Sequence, residues 1–175
     1  RNQQNGMSLF TYVDPRNQQV QREMESIFTD HLKRIGAYIP PDRLELMQEP
    51  ADPFPVKASI IIPVKNRRHT IADAIHSAIT QETDFTFNVV VIDNHSTDGT
   101  TDIVAALADR NPAIVHIIPD RQDLGIGGCW TLGINDRACG RYAVQLDSDD
   151  LFENHLVLES IVDAMREGSY AMVVG

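Results

Sequence analysis

The chain has 175 residues, 42% of them hydrophobic and 23% charged, a make-up that fits a globular protein with one sizeable domain and excludes disorder throughout. Its 15 basic and 25 acidic residues leave a net charge of -10, and no dense Lys/Arg run marks it for nucleic acid or an anionic membrane surface. No apolar stretch approaches the ~20 residues of a membrane span and the amino terminus carries no secretory pattern, so the expected address is cytoplasmic.

In chain order, residues 1 to 15 are Gln/Asn-rich and weakly periodic, which predicts an extended lead-in. Val20, Met24, Ile27, Phe28, Leu32 and Ile35 then recur at three- and four-residue spacing, predicting an amphipathic helix with one buried face and a stop at Gly36. Pro40, Pro41, Pro50, Pro53 and Pro55 remove backbone donors and predict a linker, with a short helical turn at 44–47. The expected organisation is therefore an N-terminal helical and Pro-rich extension over 1–56, followed by a domain over 57–175.

That domain alternates strand and helix. Strands are predicted at 58–64, 87–92, 113–118, 141–146 and 170–174, and helices at 70–80, 100–110 and 154–167, with a Gly-rich loop and a further helix within 125–139. Near-continuous apolar strands joined by helices imply an α/β protein with a mainly parallel sheet covered on both faces. Cys129 and Cys139 lack CxxC spacing and read as reduced core cysteines. The chain starts at Arg1 rather than Met and stops directly after 170–174, so a longer protein is expected.

In such sheets ligands sit at the carboxyl ends of the strands. Three of those ends are polar: 63–68 after the first strand, 93–99 after the second, and Asp147-Ser148-Asp149-Asp150 after the fourth. Three carboxylates within four positions repel one another, and a divalent cation with oxygen ligands would offset the crowding. Magnesium is usually held by one or two carboxylates plus substrate phosphates, which points to a phosphorylated substrate. The alternative is an acidic turn with helix-capping Asp residues.

Taken together, Ser59 to Asn66 (SIIIPVKN), Val91 to Thr100 (VIDNHSTDGT) and Leu146 to Asp150 (LDSDD) resemble glycosyltransferase family 2. The resemblance covers about residues 57–175 and implies a GT-A fold, a Rossmann-like sheet whose DxD motif binds a divalent metal, Mn or Mg. It implies inverting transfer from a nucleotide-diphospho-sugar, UDP- or GDP-linked, to a carbohydrate or lipid-linked acceptor in polysaccharide or glycoconjugate synthesis. No nucleic acid partner is implied. Peripheral membrane association would come through regions outside this chain.

Residue by residue, the resemblance places Pro63, Val64, Lys65, Asn66, Asp93, Asn94, Asp147 and Ser148 at the nucleotide sugar, and Asp149 with Asp147 at the metal. Lys65 stands where relatives commonly have a stacking Tyr; it would approach a phosphate or point to solvent. Asp93 and Asn94 match paired acids, one of which accepts a hydrogen bond from the uracil imide. The amide of Asn94 keeps both a donor and an acceptor and could favour another nucleotide.

Ser96, Thr97 and Asp98 read as turn and cap residues, and Asp150 as a cap for the next helix. Where relatives carry Arg-Asn, this chain has Trp130 and Thr131, so phosphate binding falls to Arg67, Arg121 or the metal. Trp130 would pack the helix on the sheet or stack on a ligand, and His95 lies near the nucleotide edge. The family's catalytic Asp or Glu base follows the DxD strand and its helix, and is expected beyond Gly175. A noncatalytic binding module is a second reading. A nucleotidyltransferase, the third, would want a glycine-rich phosphate loop after the first strand, and 63–68 has no glycine.

Overall fold

A computed structural model describes residues 18–40, 43, 54–168 and 170–174. The lead-in at 1–15, the turn at 44–47 and much of the proline-rich segment lie outside the described residues. The chain divides into two compact units, Arg1–Pro50 and Ala51–Gly175.

In the first unit, helix α1 spans Gln18–Arg34 and ends with Gly36 at φ 73, where the Ala37 N–H bonds the Leu32 carbonyl at 2.9 Å. Glycine suits this left-handed stop because it has no Cβ to clash. The expected buried face is not found: Val20, Met24, Ile27, Phe28 and Ile35 are all exposed. Periodicity defines an apolar face; it does not supply the surface that covers it.

The second unit runs β1 (Ala58–Val64), α2 (Ile71–Ile79), β2 (Phe87–Asp93), α3 (Thr100–Arg110), β3 (Ile114–Ile117), α4 (Ile126–Asn135), β4 (Tyr142–Gln145) and α5 (Val157–Gly168). All pairings are parallel, in the order β3-β2-β1-β4. Every residue of β1 is buried, as expected for a central strand covered on both faces. Its side chains alternate. Ala58, Ile60, Ile62 and Val64 join a core with Ile71, Ile75, Val104, Leu158 and Val162 from α2, α3 and α5. Ile61 turns the other way, onto Cys129 of α4 and onto Cys139, with Val90 and Ile92 beside it.

Gly133 is where α4 comes closest to the sheet, since a Cβ there would lie 2.7 Å from Ile61 Cγ2. At the amino edge, the Ser59 hydroxyl donates to Asn88 Oδ1 and accepts the Gly140 N–H at 2.7 Å, while Asn88 Nδ2 donates to the Ala138 carbonyl at 2.7 Å. This buried network clips the chain leading into β4 onto β1 and β2 and leaves its own polar groups paired.

The strand expected at 170–174 does not form. The Tyr170 N–H closes the end of α5 on the Met165 carbonyl, and the residues after it run irregularly with Met172 and Val174 exposed. An apolar run becomes a strand only where a neighbouring strand supplies hydrogen bonds.

Candidate functional site at the carboxyl edge of the sheet

Because β1, β2 and β4 run parallel, their polar ends emerge together. Val64 pairs with Asp93 in register, and Leu146 N–H bonds the Ile61 carbonyl at 3.2 Å, so the segment entering 147–150 leaves the sheet beside the first loop. The first two loops are bonded to each other. Asn66, left-handed at φ 55, donates its N–H to Ser96 Oγ at 3.0 Å and accepts the Thr97 N–H on Oδ1 at 2.7 Å. Asparagine is among the few residues with a side chain that adopt this backbone readily. The Arg67 N–H donates to Thr100 Oγ1 at 2.9 Å and the Arg68 N–H to Asp98 Oδ2 at 3.1 Å.

Asp98 also accepts the Thr100 hydroxyl at 2.6 Å and the Thr100 N–H at 3.0 Å at the start of α3, and these bonds, the hydroxyl's foremost, hold its carboxyl below the ordinary range. Ser96, Thr97 and Asp98 are thus turn and helix-start groups. The third loop is a turn closed by the Asp150 N–H on the Asp147 carbonyl at 3.1 Å. Thr70, at the head of α2, anchors it by donating its hydroxyl to the Ser148 carbonyl at 2.9 Å.

A cleft of about 370 Å³ lies among these loops, lined by Pro63, Val64, Lys65, Arg67, Asn94 and Ser148, and on the α4 side by Leu124, Gly125, Ile126 and Cys129. A larger hollow of about 970 Å³ runs along α1, but its described lining is the mainly apolar face of that one helix and no strand-end polar groups meet there.

Asp93 and Asn94 separate sharply. The Asp93 side chain is fully buried, accepting the Ser96 N–H at 3.0 Å and the Thr101 hydroxyl, with His116 Nε2 3.6 Å away. Burial alone would raise its carboxyl, but His116, Ser96 and Thr101 outweigh that and hold it well below the carboxylate range. Its oxygens are used inside the protein. Asn94 faces the cleft instead. Its Nδ2 donates to the Leu124 carbonyl, and its Oδ1 is buried without a hydrogen-bond partner among the described residues. A carbonyl only accepts, so the amide orientation is fixed.

Of the other expected site residues, Pro63, Val64, Lys65 and Ser148 line the cleft, with Lys65 exposed at its rim. Asn66, Asp147 and Asp149 do not line it. Asp147 is half-buried and accepts Gln145 Nε2 at 3.3 Å; Asp149 is exposed, its Oδ2 3.6 Å from Arg67 Nε. Among the described residues no group of three or more His, Cys, Asp or Glu side chains is placed to hold a metal. The two carboxylates therefore do not form a closed cage. Their oxygen donors are of the kind a hard cation takes, and a diphosphate and water would have to complete its shell.

Asp150 does not cap α5, which begins later; Gln81 Oε1, reaching over from beyond α2, accepts the Leu158 N–H at 2.9 Å. Trp130 packs beside the Cys129 and Cys139 cluster and is not in the cleft lining. His95 bonds the Arg121 carbonyl through Nε2 at 3.1 Å. Arg121 itself forks onto Asp123 at 2.9 and 2.8 Å in a separate hollow. Leu124, Ile126 and Cys129 were not legible as cleft residues. Their only sequence signal is adjacency to Gly125, Gly127 and Gly128 around the start of α4.

A parallel sheet with a polar cleft at its carboxyl edge and an Asp-x-Asp turn is the architecture of GT-A glycosyltransferases. Among solved structures, Staphylococcus aureus TarS 1-349 in complex with UDP-GlcNAc matches this chain with a TM-score of 0.54 and 28% identity over 63% of this chain and 31% of that one. The mannosyltransferase PcManGT from Pyrobaculum calidifontis, in complex with GDP-Man and Mn2+, matches with a TM-score of 0.53 at 18% identity, over 88% of this chain and 42% of that one. The succinoglycan biosynthesis protein ExoO of Rhizobium meliloti (strain 1021) is 39% identical over 104 residues, 59% of this chain and 28% of the relative.

Residues 59–175 match the family model for glycosyl transferase family 2, and the chain belongs to that family. It spans less than half the length of the curated relatives it matches. No helix among the described residues is long and apolar enough to cross a membrane.

Proposed function

We propose that this chain binds the nucleoside diphosphate sugar of an inverting glycosyltransferase that acts in polysaccharide or glycoconjugate synthesis. The observation that carries the reading is Asn94, a residue in the wall of a cleft formed where three strand ends meet, whose buried Oδ1 has no hydrogen-bond partner among the described residues. An unmet buried acceptor costs about 1–3 kcal/mol, and a nucleobase N–H would satisfy it. Pro63 and Val64 supply the apolar wall for the base, and Lys65 carries positive charge at the rim.

Asp149 and Asp147 would hold a divalent cation, which neutralises charge developing on the departing diphosphate. The sugar would then project past Ser148 and the Asp-x-Asp turn, leaving its far side open to an acceptor hydroxyl. The reading assigns the donor half of the reaction to this chain and assigns the acceptor-activating base to none of its residues. Support comes from the family membership, and from TarS, a relative whose structure holds UDP-GlcNAc.

Calorimetric titration of the chain with UDP and GDP, with and without Mn2+, tests it. Binding of either nucleotide that tightens with Mn2+ is expected. Binding without metal linkage would favour the noncatalytic module, and no binding by folded protein would overturn the site.

A further inference from the structure

Arg67 is held by its backbone, and its side chain is only loosely engaged. Its N–H is bonded to Thr100 Oγ1, and its carbonyl accepts the N–H groups of Thr70 and Ile71 at 3.1 and 2.9 Å. The guanidinium, by contrast, meets Asp149 Oδ2 at 3.6 Å and the Asn66 carbonyl at 3.4 Å, with both ion-pair side chains half exposed. Such a pair contributes no more than about 1 kcal/mol and exchanges readily.

Among the described residues no other arginine lines the cleft. Trp130 packs against the α4 core, the Thr131 hydroxyl is bonded back to the Gly127 carbonyl at 2.9 Å, and the fork of Arg121 is already filled by Asp123 in another hollow. Arg67 lines the cleft itself, and its planar fork matches two phosphate oxygens better than the point charge of Lys65.

We infer that Arg67 changes partner on donor binding: paired with Asp149 here, it releases that carboxylate to the divalent cation and clasps the diphosphate. The inference rests on the donor-site reading. One residue thus serves both as the carboxylate's resident counter-ion and as the diphosphate's anchor, so its loss should move cation and nucleotide binding in opposite directions.

The test compares the full chain with its R67Q and R67K variants, using UDP against uridine and GDP against guanosine, with Mn2+ present, and Mn2+ alone followed by electron paramagnetic resonance. R67Q should weaken diphosphate binding about tenfold or more while the nucleoside stays within about twofold, and R67K should restore part of the loss. Mn2+ alone should bind R67Q more tightly. Unchanged diphosphate affinity in R67Q, or equal losses for nucleoside and diphosphate, would overturn the role of Arg67 while leaving the donor site standing. Failure of the unsubstituted chain to bind any nucleotide would remove both.

Discussion

Asn94 gives its amide hydrogen to the carbonyl of Leu124, and that bond fixes how its amide lies in the wall of the cleft. The wall of the cleft and the loop ahead of α4 are therefore coupled through one side chain. Asn94→Ala should weaken nucleotide binding by about 1–2 kcal/mol, near tenfold. Asn94→Asp should do worse in the apo protein, because a carboxylate would face the Leu124 carbonyl oxygen with no hydrogen to offer. Titration calorimetry and urea unfolding on the two variants check both statements; nucleotide binding by Asn94→Ala equal to the parent would remove Asn94 from the site.

Asp93 makes a pH prediction. Its carboxyl is held below the ordinary range in the folded chain, so the unfolded chain binds the proton first as pH falls. The stabilisation is complete above the ordinary Asp value of about 4 and is lost progressively below it. Asp93→Asn should lower stability by about 3 kcal/mol at neutral pH, since it removes a charge that buried donors address. The gap between variant and parent, read from urea midpoints, should narrow as pH is taken below about 4; a constant gap would contradict the account.

The exposed Asp149 side chain makes only its loose ion pair with Arg67 among the described residues, so Asp149→Asn should leave stability within about 0.5 kcal/mol of the parent. The effect of Mn2+ on nucleotide affinity should nonetheless disappear. Retained metal linkage in the variant would sink the assignment of Asp149 as the principal ligand.

Gly133 faces Ile61 at the point of closest approach between α4 and the sheet. Gly133→Ala must move that helix or the Ile61 side chain, at about 1–3 kcal/mol. Because α4 begins at Ile126 and carries Cys129 on the cleft wall, the same change should also weaken nucleotide binding. Thermal unfolding and a nucleotide titration on one sample would show the two effects together.

Much of the sheet was legible because its strands are buried on both faces. Ala58–Val64 and Thr100–Arg110 have the same bounds in sequence and structure, since a run rich in β-branched residues and a spaced apolar pattern each favour one regular form. What sequence could not carry was partnership. The face of α1 and the run at 170–174 have the right residues but no covering surface or paired strand among the described residues.

The site shows the same division. Its three polar strand ends were readable, yet nothing in Asp93-Asn94 says which side chain turns inward; that follows from Thr101 and His116, which reach Asp93 from elements further along the chain. Thr70 likewise spends its hydroxyl on Ser148, 78 residues away, and Gln81 serves the start of α5 at a distance of 77. Such long-range polar bonds have no local signature.

The mutual bonding of the first two loops through Asn66 has a thermodynamic consequence. Backbone and side-chain groups that would otherwise have to be ordered by a ligand are already fixed, so little conformational entropy remains to be lost on that side of the cleft. Nucleotide recognition there should resemble insertion into a finished mould, with a small heat-capacity change set by the surface covered and not by any loop folding. It also binds the two loops into a single inheritable unit: an insertion that re-aims one of them must be matched by the other.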